Sequence, residues 1–165
     1  MNAAAIALLV ASFAAAVIDV RTRRIPNALT SAAALVALVV HLPAGPLAVA
    51  VALGAMIAAF LVGSVVFSAG WFGGGDVKLI AAACGLAGAP GAVSLVLFVL
   101  VAGALLALAS ATARGRLVAL VRSTASVAAR GGASERTLLP YGVAIAGGSI
   151  VYAISTLLPA LRLTA

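Results

Sequence analysis

Long apolar runs constrain this chain more than any other feature of it. A helix needs about 20 mostly apolar residues to cross a bilayer. Six segments read as spans, at 2–18, 27–42, 46–68, 77–89, 91–113 and 138–158, of which 77–89 is short. "HLPAGP" parts the second from the third and "GAPG" the fourth from the fifth, where proline and glycine break helices. Of the 165 residues 65% are hydrophobic and only 8% charged, with a mean hydropathy of +1.32. A soluble domain of this size needs more charge on its surface. The expectation is an all-α integral membrane protein, one domain over 1–165.

The sparse charges set the orientation. Ten basic residues face three acids, for a net charge of +7. In a membrane chain these arginines signal topology and contact anionic lipid; they are not a nucleic-acid surface. Six crossings bring Arg21, Arg23, Arg24 and Lys78 to one face, together with Arg114, Arg116, Arg122, Arg130 and Arg136. His41 and Arg162 fall on the other. If 77–89 did not cross, the two arginine clusters would be split between the faces. The positive-inside rule therefore selects six spans, with both termini on the non-cytoplasmic side and the basic face in the cytoplasm. The start, "MNAAAIALLVASFAAAVIDV", has no basic residue before its apolar run and reads as a retained first helix rather than a cleaved signal. The long loop 114–137 mixes apolar and basic residues, and both a helix lying in the interface and a simple tether fit it.

Cys84 is the only cysteine and His41 the only histidine, which excludes an internal disulfide and a zinc cluster of those ligands. No cofactor is expected. Cys84, in an apolar helix, reads as a small buried side chain.

The acids are Asp19, Asp76 and Glu135. Two spans separate Asp19 from Asp76, so both return to the basic face at one depth. Asp76 ends the run "WFGGGD" and is placed to cap the helix that follows. Asp19 stands one turn before Arg23, with which it can pair. The structural reading suits Asp19 less well, because the end of a helix disfavours negative charge and acids at membrane depth are costly. Two carboxylates at close range share one proton. The ionised one can take a proton from water while the protonated one polarises a peptide carbonyl, which is aspartic proteolysis without a metal. Helix ends would favour Asp76 as the ionised member and Asp19 as the protonated one. Paired membrane acids also serve as proton relays, so a proton-coupled transporter is the alternative from physics alone.

"DVRTRRIPN" (19–27) followed by "FGGGDVKL" (72–79) resembles the type IV prepilin peptidases, membrane aspartic proteases with a GxGD motif. That motif falls on Gly73, Gly74, Gly75 and Asp76. "LPYGVAIAGG" (139–148) is similar to the family's last-helix motif, so the resemblance covers nearly the whole chain. It implies that Asp19 and Asp76 are catalytic. It also implies prepilin or pseudopilin substrates, with a basic leader, a cut at the cytoplasmic face and an apolar helix beyond it. Larger members carry a cytoplasmic segment with paired cysteines and methylate the new N-terminus. This chain has no cysteine pair and looks like the short form associated with tight-adherence pili, which gives no ground to expect methyl transfer. A non-catalytic subunit of a pilus machine remains a rival that would tolerate loss of both carboxylates.

Other residues read as support for the motif. Arg24, Pro26 and Asn27 shape the turn after Asp19, with Pro26 suited to a helix start and Asn27 to a cap or turn. Lys78 reads as an interfacial anchor, or as a contact to anionic lipid or an acidic substrate side chain. Pro140, Tyr141 and Gly142 open the last segment, where Tyr141 is either an interface anchor or the border of a substrate groove. Trp71 reads as an aromatic belt residue. Gly54, Ala58, Gly103, Gly147 and Gly148 are small enough for close helix packing.

Overall fold

The computed structural model describes residues 3–70, 72–113 and 141–157. Trp71, Pro140, Arg162 and the loop 114–137 with its arginines lie outside the described residues. Among the described residues the chain is helical, with no strand. Helix α1 runs over Ala3–Thr22, α2 over Asn27–His41, and a 3-10 turn over Leu42–Ala44. Then come α3 over Pro46–Ser68, α4 over Gly74–Ala113 and α5 over Tyr141–Leu157. Helices are the expected solution, since a backbone in lipid must satisfy its hydrogen bonds within each segment. By length and composition α1, α3, α4 and the stretch Asn27–Ala44 are each able to cross a membrane, while Tyr141–Thr156 is a shorter apolar helix. Large apolar side chains such as Phe13, Leu47, Leu61 and Val65 stand exposed along the outside of the bundle. Such a surface suits lipid and not water, and the chain is a multi-pass membrane protein.

Helix α4 is not one straight rod. At about 1.5 Å per residue its 40 residues would far exceed the ~30 Å apolar core of a bilayer. The helix breaks at Gly88, whose φ of 71° and ψ of 167° no helix contains, and Pro90 follows. Neighbours along the two legs show that the chain doubles back there. On the outgoing leg Gly75 lies against Ile25 and Gly85 against Ala37 and Met56. On the return leg Gly91 lies against Tyr152, Gly148 of α5 against Val99, and Gly103 against Tyr141. The sequence expects the fourth and fifth segments at these places, divided at "GAPG". The outgoing leg, 74–87, rises only about 21 Å.

The reversal leaves carbonyl groups at the end of the outgoing leg without their usual helical partners. Side chains supply them. His41 Nε2 lies 3.1 Å from Gly85 O; a carbonyl can only accept, so the ring nitrogen carries the proton and donates. Tyr152 donates its hydroxyl to Ala87 O at 3.3 Å. Helices α2 and α5 thereby clasp the turn from two sides.

The core lies where α4 packs against α1, α2, α3 and α5. Leu8, Leu79, Leu95, Val99 and Ile145 are fully buried there, with Cys84 among them as the small buried side chain expected. The buried face of α1 reads Ala5, Leu8, Ser12, Ala15, Ala16, Asp19, a helical stripe that ends on a carboxylate. Ser12 and Ser149 share a buried hydrogen bond of 2.9 Å between α1 and α5. Gly103 and Gly148 are the close-packing positions the sequence suggests, with Tyr141 and the Val99 backbone against them. Gly54 and Ala58 are not: no neighbour lies within 4 Å of Gly54, and Ala58 is exposed. They sit on α3, which buries only Ala52 and lies at the rim of the bundle.

Tyr152→Phe removes the donor to Ala87 O. An uncompensated carbonyl, if fully buried, costs about 1–3 kcal/mol; this one is part-buried, so the variant is expected to be less stable in detergent by about 1 kcal/mol and to melt at a lower temperature. An unchanged melting temperature would show that the clasp is dispensable.

Candidate active site

The turn after α1 is built locally. Arg23 takes the left-handed conformation, φ 55°, and donates its backbone N–H to Asp19 O at 2.8 Å, an αL helix ending. Thr22 Oγ1 lies 2.9 Å from both Ile18 O and Arg24 O, tying the turn to the helix it leaves. Arg21, Arg23 and Arg24 all point outward and are exposed. The Asp19 carboxylate faces the opposite way. It is 7% exposed, and its Oδ2 accepts the backbone N–H of Gly142 at 2.9 Å. That amide is available because Gly142 sits in the first turn of α5, where helix N–H groups lack intrahelical partners. Glycine is required: a Cβ there would lie 2.9 Å from Asp19 Cβ and 3.2 Å from Ala15 O.

Asp76 is not the helix cap that the sequence suggests. Helix α4 begins at Gly74, and Val77 N donates to Gly73 O at 3.2 Å, so Gly73 is the capping residue. Asp76 stands three residues further on and reaches back, its Oδ2 accepting Gly73 N–H at 3.1 Å. This is the returning half of a capping box. The helix starts earlier than the apolar pattern indicates because glycines carry no pattern of their own. Gly75 packs tightly on Ile25: a Cβ would meet Ile25 Cβ at 3.0 Å and its carbonyl oxygen at 3.3 Å. The turn after α1 and the start of α4 are therefore in contact.

These contacts gather the site at one end of the bundle. Asp19 is bonded to Gly142, the neighbour of Tyr141, and Tyr141 in turn lies against Phe72, four residues before Asp76. The Tyr141 ring packs on Phe72 with centroids 4.6 Å apart. Asn27 does not cap α2, whose N-cap is Pro26 in an extended conformation; its Oδ1 accepts from Lys78 Nζ at 2.9 Å, joining α2 to α4 beside Asp76. Gly73, Gly75, Lys78, Pro26, Asn27, Tyr141 and Gly142 all stand within this constellation. Arg24 points away from it. Pro140 lies outside the described residues.

Helix dipoles do not separate the two acids in the way the sequence suggests. Each carboxylate accepts one backbone N–H at a helix start: Asp76 that of Gly73, which caps α4, and Asp19 that of Gly142 in the first turn of α5. The α5 terminus offsets the unfavourable end of α1 on which Asp19 rides. Phe72, Ile25 and the Gly142 amide are the parts that the sequence alone did not single out for these roles. Among the described residues no group of three or more His, Cys, Asp or Glu is placed to hold a metal ion.

Residues 6–108, well over half the chain, match the family model of the type IV leader peptidase family. No curated protein and no solved structure matches.

Gly142→Ala is expected to lower stability by about 1–3 kcal/mol, the usual cost of overpacking, because the new methyl presses on Asp19 and the α1 backbone. Gly147→Ala, where a Cβ would meet Ala102 Cβ at an ordinary 3.5 Å, should be neutral or slightly stabilising. Comparison of the two melting curves in detergent checks this. Equal behaviour would mean that α5 does not press on Asp19.

Proposed function

This chain belongs to the type IV leader peptidase family, and on that premise we propose that it is an aspartic endopeptidase that removes the basic leader from prepilin-like or pseudopilin substrates. The observation that carries this reading is the placement of Asp19 and Asp76 at the same end of the bundle, each accepting a backbone N–H at a helix start.

In the proposed reaction the pair holds one proton between two carboxylates. The ionised member takes a proton from a water molecule as the oxygen attacks the scissile carbonyl carbon. The protonated member donates to the carbonyl oxygen, giving a neutral tetrahedral diol. The roles then reverse: one aspartate returns a proton to the leaving nitrogen as the C–N bond breaks, and the other recovers one from the diol hydroxyl. The Gly142 and Gly73 amides orient one oxygen of each carboxylate and leave the other oxygen for this chemistry. Tyr141, packed on Phe72, borders the space beside Asp76 where a substrate backbone would lie.

The substrate's apolar helix would approach from lipid, and its own insertion would hold the cut site at the depth of the aspartates, so proximity supplies much of the rate. The proposed topology has six spans, both termini on the non-cytoplasmic side, and the aspartates at the cytoplasmic face of a bacterial-type inner membrane. The short leg 74–87 and the helix α5 would each cross as part of the bundle. No cofactor and no methyl transfer enter the proposal.

Co-expression with a leader-bearing pilin precursor tests it, scored by the shift in product mass and the product N-terminus. The wild-type chain should cleave. Asp19→Asn and Asp76→Asn should insert normally and fall to background, a loss of at least about a thousandfold given the magnitude typical of paired acid–base catalysis. Retained processing by an inserted Asp76→Asn chain would overturn the aspartic mechanism.

A further inference from the structure

Helix α3 leans on α4 along one edge only, and between α3 and α2 a groove is left open, floored by α4. It encloses about 280 Å³. Its α2 wall is small, with Thr30 and Ala34, and its α3 wall is large, with Leu53, Ile57 and Phe60. These three are 42%, 51% and 44% exposed, so the groove opens sideways to the apolar phase. Lys78 is the one charged residue lining it. The lysine marks the end nearer the aspartates, since Gly63 of α3 packs on Val77 there while Met56 reaches Gly85 further along.

We infer that this groove binds one anionic phospholipid, an acyl chain lying against Leu53, Ile57 and Phe60 and the phosphate resting on Lys78. Size argues first. From Leu53 to Phe60 the groove is about 10 Å long at the helical rise. A groove of that length and about 280 Å³ has room for a single hydrocarbon chain. Charge argues second. The Lys78 ammonium has three donors and gives one to the neutral amide of Asn27, which leaves its charge uncompensated at that contact. An apolar slot that ends on a cation complements an amphiphile with an anionic head. Position argues third, because a lysine two residues into the chain from Asp76 lies near the membrane surface where headgroups are. A lipid bound here fills the gap between α2 and α3 directly beside the start of α4.

The test is lipid retention, read without any cleavage, so it fails or succeeds separately from the peptidase assignment. The full chain is reconstituted in vesicles of equal phosphatidylglycerol and phosphatidylcholine, extracted in mild detergent, and weighed by native mass spectrometry. The wild type should keep one phospholipid, phosphatidylglycerol being preferred about fivefold, the factor a single lysine at an anionic surface gives. Lys78→Gln should keep a lipid and lose the preference. Ala34→Trp, which fills the slot, should lose the bound lipid of either kind. Lys78 is exposed, so its variant remains decisive if the tryptophan disturbs folding. Equal phosphatidylglycerol retention by wild type and Lys78→Gln would overturn the inference. So would a photo-crosslinker at position 34 that captures a co-reconstituted leader-bearing helix in place of lipid.

Discussion

A backbone that reverses inside an apolar bundle leaves carbonyl groups that lipid cannot satisfy, and the arrangement of this protein follows from meeting that demand at Gly88. The break there turns α4 into two legs. The outgoing leg lies beside α2 and α3, and the return leg lies beside α5. His41 and Tyr152 donate to the carbonyls of Gly85 and Ala87, so α2 and α5 are held at the turn by directed bonds as well as by packing. With the turn fixed at one end, the other ends of the same helices are brought together, and that is where the carboxylates lie.

At that end the acids are held by glycine and by helix geometry. Asp19 is the last member of the buried stripe of α1, and the α5 N-terminus meets it with a free amide. Asp76 belongs to the first turn of α4 and bonds back to Gly73. Gly75 and Gly142 are points of close approach, at Ile25 and at Asp19. The glycine-rich run and the glycine of "PYG" share one physical effect: they let segments approach closely where a side chain would intervene.

Much of the site was legible in the sequence because ionisable groups are expensive in lipid. Asp19 and Asp76 stand out for that reason alone, and the residues around them carried the family resemblance that the match over 6–108 supports. Other features were hidden. Three consecutive glycines gave no sign of which one caps the helix, so Asp76 read as the cap and proved to be three residues past it. Asn27 looked like a local cap, yet its partner, Lys78, is 51 residues away. Gly54 and Gly148 look alike in sequence; only one faces another helix.

The sequence by itself determined that the described chain is helical and apolar, where its helices break, and which acids are the candidates for chemistry. Those properties are local or compositional: residue hydropathy, the missing N–H of proline and the backbone freedom of glycine act within a few residues. Only the tertiary structure decided which amide receives Asp19, which side chains satisfy the reversal at Gly88, and where a groove ending on Lys78 remains open. These are contacts between segments distant in the chain. Helix rotation and tilt set them, and apolar sequences with nearly uniform faces leave rotation and tilt to packing.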